Sequence, residues 1–119
     1  MTDTLLDPTT FVEIAAAAAS GKKAQSIIIM DMRQILPVTD YFLIASGAST
    51  TQVQAIADAI EEKLDESGLK ILHKEGFRSA HWILLDYGYF VAHIFTNEDR
   101  QFYNLEQLWA DAPSREFLD

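Results

Sequence analysis

The sequence contains no cysteine, which excludes a disulfide scaffold, a thiolate nucleophile, an iron–sulfur cluster and any cysteine-based zinc site. It is also poor in basic residues, with 9 Lys and Arg against 18 Asp and Glu and a formal net charge of −9. Phosphates are neutralised by clustered Lys and Arg, so this balance opposes direct nucleic-acid binding and favours basic partners. Long hydrophobic runs are missing too. The longest apolar stretches, Ile14 to Ala19 and Ile27 to Met30, fall far short of the ~20 residues that cross a bilayer. The alanine run does not read as a signal segment either, because Asp3, Asp7 and Glu13 precede it and the first basic residue is Lys22. The expectation is a soluble, non-exported, cytoplasmic protein with no membrane partner. No repeat, low-complexity segment or long internal linker divides the chain. Its 119 residues, 49% of them hydrophobic, fit a single domain over 1–119, with residues 1–6 and 113–119 expected as frayed ends.

Within that frame the hydrophobic pattern predicts an alternation of helices and strands. Asp7-Pro8 is a helix entry, and Phe11, Ile14, Ala15 and Ala18 repeat at helical spacing until Gly21. Ser26 to Met32 follows as a β-branched run that reads as a strand buried on both faces. Tyr41 to Ala45 reads as a second strand, and the short connection through Pro37 favours an antiparallel neighbour. After the turn Ser46-Gly47-Ala48-Ser49-Thr50, the residues Val53, Ile56, Ala57, Ile60 and Leu64 mark one face of a helix that Gly68 ends. Three further strands are predicted at Leu69 to Lys74, Trp82 to Asp86 and Tyr89 to Phe95, the last two forming a hairpin around Gly88. A final helix, capped by Thr96 or Asn97, carries Glu98 and Asp99 in its first turn and Phe102, Leu105, Leu108 and Trp109 on its apolar face. The order α-β-β-α-β-β-β-α describes a mixed α/β (α+β) domain with a mixed sheet of about five strands flanked by helices.

Few residues offer chemistry. The Ser46-Gly47-Ala48-Ser49 turn is a weak phosphate cradle, lacking the Gly-x-x-x-x-Gly-Lys spacing, and reads better as an N-capping turn. A nucleotidyltransferase would hold magnesium with two carboxylates at i and i+2 on a strand. Here Asp31 is followed at that spacing by Arg33, and Asp86 by Gly88, so the metal pair is missing. His73, His81 and His93 form no ligand pair at helical or alternate-strand spacing, and His93 inside an apolar strand reads as a hydrogen-bonded structural histidine. No serine sits in a Gly-x-Ser-x-Gly elbow. No catalytic residue, metal or cofactor is expected.

The conspicuous segment runs from Lys74-Glu75-Gly76 to Trp82-Ile83-Leu84-Leu85-Asp86-Tyr87-Gly88. A strand covered on one face should alternate, yet Trp82 to Leu85 places large side chains on both. Either both faces are covered within the molecule, or one is an interaction surface with Trp82 and Tyr87 as the residues most like anchors.

Several motifs in order then carry a resemblance over Phe11 to Trp109: Asp40-Tyr41-Phe42, Ile44-Ala45-Ser46-Gly47, Ile56-Ala57-Asp58, Glu75-Gly76, Trp82 to Gly88, His93-Ile94-Phe95, Arg100, Tyr103, Leu105-Glu106 and Leu108-Trp109. Together they resemble the ribosomal silencing factor family RsfS, also called iojap. The resemblance implies a nucleotidyltransferase-like core without catalytic carboxylates, and a non-enzymatic factor, homodimeric when free. It implies binding to the large ribosomal subunit through that subunit's ribosomal protein fourteen, which blocks joining of the small subunit and represses translation under nutrient limitation. Carried over residue by residue, it implies a partner-binding surface of Glu75, Gly76, Trp82, Leu84, Asp86 and Tyr87. Tyr89 departs from the family's usual aspartate, and Thr51-Gln52 stand where a basic residue is common. Two other function classes remain open at this point: an adaptor for a different basic protein, and a residual nucleotidyltransferase.

Overall fold

The computed structural model describes residues 7–118. Helix α1 (Pro8–Gly21) starts as the sequence predicts, with the Asp7 carboxylate accepting the Thr10 amide at 3.0 Å and proline in the first turn, where its missing N–H costs nothing. Strand β1 (Gln25–Asp31) and strand β2 (Tyr41–Gly47) pair antiparallel, as the short connection between them requires. Helix α2 (Thr50–Glu66) is capped by Ser49, whose hydroxyl accepts the Gln52 amide at 3.1 Å. Strands β3 (His73–Glu75), β4 (Trp82–Asp86) and β5 (Phe90–Thr96) follow, with β4 and β5 joined as a hairpin in which Gly88 takes φ +81°. Two short helices, α3 (Asn97–Tyr103) and α4 (Leu105–Leu108), lead to strand β6 (Ser114–Glu116).

The sheet is mixed, as expected, but among the described residues it has six strands rather than five, in the order β3-β4-β5-β2-β1-β6. Its one parallel pair, β2 with β5, lies at the centre. Three expectations need correction. The segment predicted to fray at 113–119 contains β6, which pairs antiparallel with the free edge of β1 through Ile28↔Glu116 to Met30↔Ser114. Residues 1–6, the other predicted frayed end, lie outside the described residues. The strand predicted over Leu69 to Lys74 is confined to β3, because Leu69 and Ile71 pack against the helical core rather than pairing. The predicted final helix is broken at Asn104, which adopts a left-handed conformation at φ 49° and ψ 56°. That break scatters the expected apolar stripe: Leu105 is buried, whereas Phe102 and Leu108 are 77% and 66% exposed.

Period-two alternation sorts the strand residues between two layers. On one face Ile27, Ile29, Tyr41, Leu43, Ala45, Ile83, Leu85, Phe90, Ala92 and Ile94 pack under α1 and α2, with Val12, Ala15, Val53, Ile56 and Ile60 from the helices. Small side chains on α1 let the helix lie close to its neighbours. On the other face Met30, Phe42, Ile44 and Phe95 are covered by Met32, Leu105 and Ala112, with Ile35, Leu36 and Trp109 packed at the margin. That cover reaches β4 only at Trp82, leaving the β4 and β3 side of the second face open.

Candidate functional site

The open half is built by strand register. Across it, Leu84 on β4 stands between Glu75 on β3 and His93 on β5, and Trp82 is opposite Phe95. Asp86 lies between His73 and Val91 in the same way. Trp82, Leu84 and Asp86 are therefore on one side of β4, half-buried, while the intervening Ile83 and Leu85 are sealed under α2. This resolves the Trp82 to Leu85 run: one face is closed intramolecularly and the other is partly exposed.

Trp82 is held by its neighbours. Its indole stacks on Phe95 at 5.0 Å between ring centroids and leans on Tyr103 at 4.7 Å, and its Nε1–H donates to Nδ1 of His93 at 3.1 Å. His93 is the structural histidine predicted, with a hydrogen-bonded ring. Burial pushes its pKa down to about 4, so the imidazole is neutral at physiological pH. Tyr103 is carried into place by Arg100, whose guanidinium grips Glu106 through two bonds of 3.1 Å. The same side chain also donates to the Gln25 carbonyl and the Ser46 hydroxyl. This nearly buried arginine fastens α3 and α4 to the ends of β1 and β2. Phe102, packed edge-on to Tyr103, extends the aromatic surface outward.

The carboxylates of this face differ. Glu75 is exposed at the edge strand and has no ion-pair partner among the described residues. Asp86 is committed to the hairpin, where its Oδ1 accepts the Gly88 amide at 2.8 Å. Gly76 contributes backbone only, at φ +79° in the connection from β3 to β4. Of the six residues inferred from the resemblance, Glu75, Trp82, Leu84 and Asp86 share the face and Gly76 adjoins it.

Tyr87 does not. It is 3% exposed and lies on the opposite side of the sheet, stacked on Phe90 within the helical core, so it is no surface anchor. Its hydroxyl is buried without a hydrogen-bond partner among the described residues, and burial together with the charges of Glu61 and Asp65 raises its pKa. What the resemblance did not mark as site residues were His93 and Tyr103, both of which touch Trp82 directly. Parity along β5 could have placed His93 beside Phe95 on one face, but its pairing with β4 depends on register.

The other chemical candidates are occupied structurally. The Ser46 to Ser49 turn is closed by Gln52, whose Oε1 accepts the Ala48 amide at 2.7 Å while its Nε2 donates to the carbonyls of Lys22 and Lys23. Asp31 is paired with Arg33 at 2.7 Å, which lowers the carboxylate's pKa. His81 meets Asp99 at 2.8 Å beside the Thr96 cap. Among the described residues no three His, Asp or Glu gather as metal ligands, and no helix is long and apolar enough to cross a membrane.

Comparison with known proteins fits this architecture to a family. The family model described as "Ribosomal silencing factor during starvation" matches residues 6–119. The ribosomal silencing factor RsfS of Bacillus subtilis is 49% identical over 102 residues, covering 86% of this chain and 86% of that protein. A more distant relative from Mus musculus, named mitochondrial assembly of ribosomal large subunit protein 1, is 26% identical over 82% of this chain and 44% of its own length. A crystal structure of a protein from Chromobacterium violaceum superposes with a TM-score of 0.86 at 30% identity, covering 88% of each chain. With a match over almost its entire length and this identity to a curated relative, the chain belongs to the ribosomal silencing factor family, RsfS.

Proposed function

We propose that this protein binds the large ribosomal subunit through the basic ribosomal protein fourteen of that subunit, and that the bound factor blocks docking of the small subunit and represses translation when nutrients are limiting. The observation that carries the reading is the open half of the sheet in a member of this family, where the half-buried Trp82 and Leu84 form an apolar centre beside Glu75 and Asp86. Interface energy concentrates in such partly enclosed aromatic anchors. Acidic groups at the rim and a net charge of −9 complement a basic partner. The name of the murine relative refers to the large subunit, which supports the choice of that subunit. The protein acts in the cytoplasm by occupancy, without catalysis, and is a homodimer when free.

The test adds the purified protein to separated subunits under conditions in which intact ribosomes form. The expected result is a shift of the sedimentation profile toward free subunits, with the protein travelling with the large subunit alone. Truncating the anchor, Trp82→Ala, should weaken that binding by ~2 kcal/mol or more, about thirtyfold, while the circular dichroism stays native. Equal binding to both subunits, or to neither, overturns the proposal. In the second case an adaptor for another basic protein takes its place.

A further inference from the structure

Trp82 is the largest apolar group on the open face, and an indole on a half-covered strand has several rotamers available to it. Here its polar atom is tied inward. The bond from Nε1–H to Nδ1 of His93, at 3.1 Å, joins side chains that are diagonal neighbours on one face, since Trp82 is opposite Phe95 and His93 opposite Leu84. Diagonal pairs of large side chains are within reach of one another across adjacent antiparallel strands.

His93 is itself tightly enclosed. It is 5% exposed, lies parallel to Phe95 at 6.4 Å between centroids, and meets Phe42 edge-on at 4.6 Å. A ring packed in this way cannot follow a moving indole, so the acceptor defines a fixed point. The bond also dictates a tautomer: Nδ1 must hold a lone pair, which places the single proton on Nε2. Among the described residues that Nε2 has no hydrogen-bond acceptor, so the bond to Trp82 is the one polar interaction the imidazole makes with them. A buried polar ring with half its capacity unused is an inefficient core filler. The bond that the other nitrogen accepts gives the ring a role beyond filling space.

We infer that His93 is a positioning residue of the docking surface: its Nδ1 fixes the plane of the Trp82 indole against Phe95 and Tyr103, so that the anchor meets its partner already in the bound pose. The inference rests on the reading of Trp82 as an interface anchor. Pre-ordering a side chain removes the immobilisation cost from the binding step, which for one rotamer-rich side chain corresponds to roughly three- to tenfold in affinity.

Two substitutions of nearly equal size separate positioning from packing. His93→Asn retains an acceptor at the place of Nδ1, whereas His93→Leu does not. The Trp82 indole N–H resonance, assigned by its loss in Trp82→Phe, should remain hydrogen-bonded and slow to exchange in the unmutated protein and in His93→Asn. It should shift upfield and exchange quickly in His93→Leu. Dissociation from the large subunit should speed up three- to tenfold in His93→Leu, with His93→Asn staying within about twofold of the unmutated protein. In a Trp82→Phe background the two variants should dissociate alike.

Equal behaviour of Asn and Leu with Trp82 present overturns the inference and reduces His93 to a space-filler. A variant that fails to fold does not block the test, because the imidazole nitrogen shifts of the unmutated protein report the tautomer directly. An Nδ1-protonated ring there overturns it. Absence of any binding to the large subunit defeats the functional reading alone, and the indole and imidazole resonances still decide whether His93 positions Trp82.

Discussion

Gly76 approaches the backbone carbonyl of Trp82 so closely that a Cβ on Gly76 would lie 2.1 Å from that oxygen. The close approach, made at φ +79°, sets the connection that brings Glu75 beside Leu84 on the open face. Glycine is required twice over, for the left-handed backbone and for the missing side chain.

Gly76→Ala should therefore cost more than the roughly 1–2 kcal/mol of a left-handed alanine, because the backbone of β4 must also shift. Gly68 supplies the control. It has φ +89° but open space where a Cβ would go, so Gly68→Ala should show the conformational penalty alone. Urea unfolding of both variants reads the difference. Equal losses would mean that contact with Trp82 is relieved without cost.

The pH dependence of stability follows from His93, whose ring packs against Trp82, Phe95 and Phe42 and whose strand neighbours are Leu84 and Ile44. Burial holds its pKa at about 4 in the folded protein, against 6.5 for an ordinary histidine. Between these values the unfolded chain binds more protons, so acid favours unfolding. Stability is full above the unfolded pKa and falls as the pH drops toward the folded one. The expected loss is about 2 kcal/mol from about pH 7.5 to about pH 5, and it should vanish in His93→Asn. Denaturation midpoints at the two pH values, measured for both proteins, check it.

Much of this fold was legible because it is local. Capping by Asp7 and Ser49, the helical spacing of Val53 to Leu64 and the turn at Gly88 all act within a few residues. Strand β6 was not legible, since Ser114, Arg115 and Glu116 are exposed and carry no apolar alternation. It forms because β1 presents an unpaired edge, a fact of tertiary structure. The displacement of β3 has the same origin, with β4 rather than local propensity deciding where pairing begins. The site was legible as a segment but not as a face. Parity alone separates Trp82, Leu84 and Asp86 from Tyr87, and that signal was present in the sequence.

Tyr87→Phe tests the correction. The ring should keep its place 5.2 Å from Phe90, while the substitution removes a buried hydroxyl that has no partner among the described residues. Leaving such a group unsatisfied costs on the order of 1–3 kcal/mol, so the variant should be unchanged or more stable by about 1 kcal/mol. Affinity for the large subunit should not change, because Tyr87 faces the helices. Weaker binding with intact stability would return Tyr87 to the docking surface.

The two carboxylates of the open face should separate by salt and by stability. Glu75 is exposed and unpaired among the described residues, which suits steering of a basic partner through the solvent. Raising the salt should slow association of the unmutated protein much more than it speeds dissociation, and Glu75→Gln should flatten that dependence. Asp86 spends one oxygen on the Gly88 amide, so its removal acts on the hairpin first. Asp86→Ala should lose roughly 1–3 kcal/mol of stability, and Asp86→Asn, which can still accept that bond, less. Because Asp86 is half-buried next to Leu84, either change should appear in the dissociation rate more than in association. Surface-bound kinetics at two salt concentrations decide the matter. An association rate indifferent to salt in the unmutated protein would remove Glu75 from the recognition of a basic partner and leave the contact to Trp82 and Leu84.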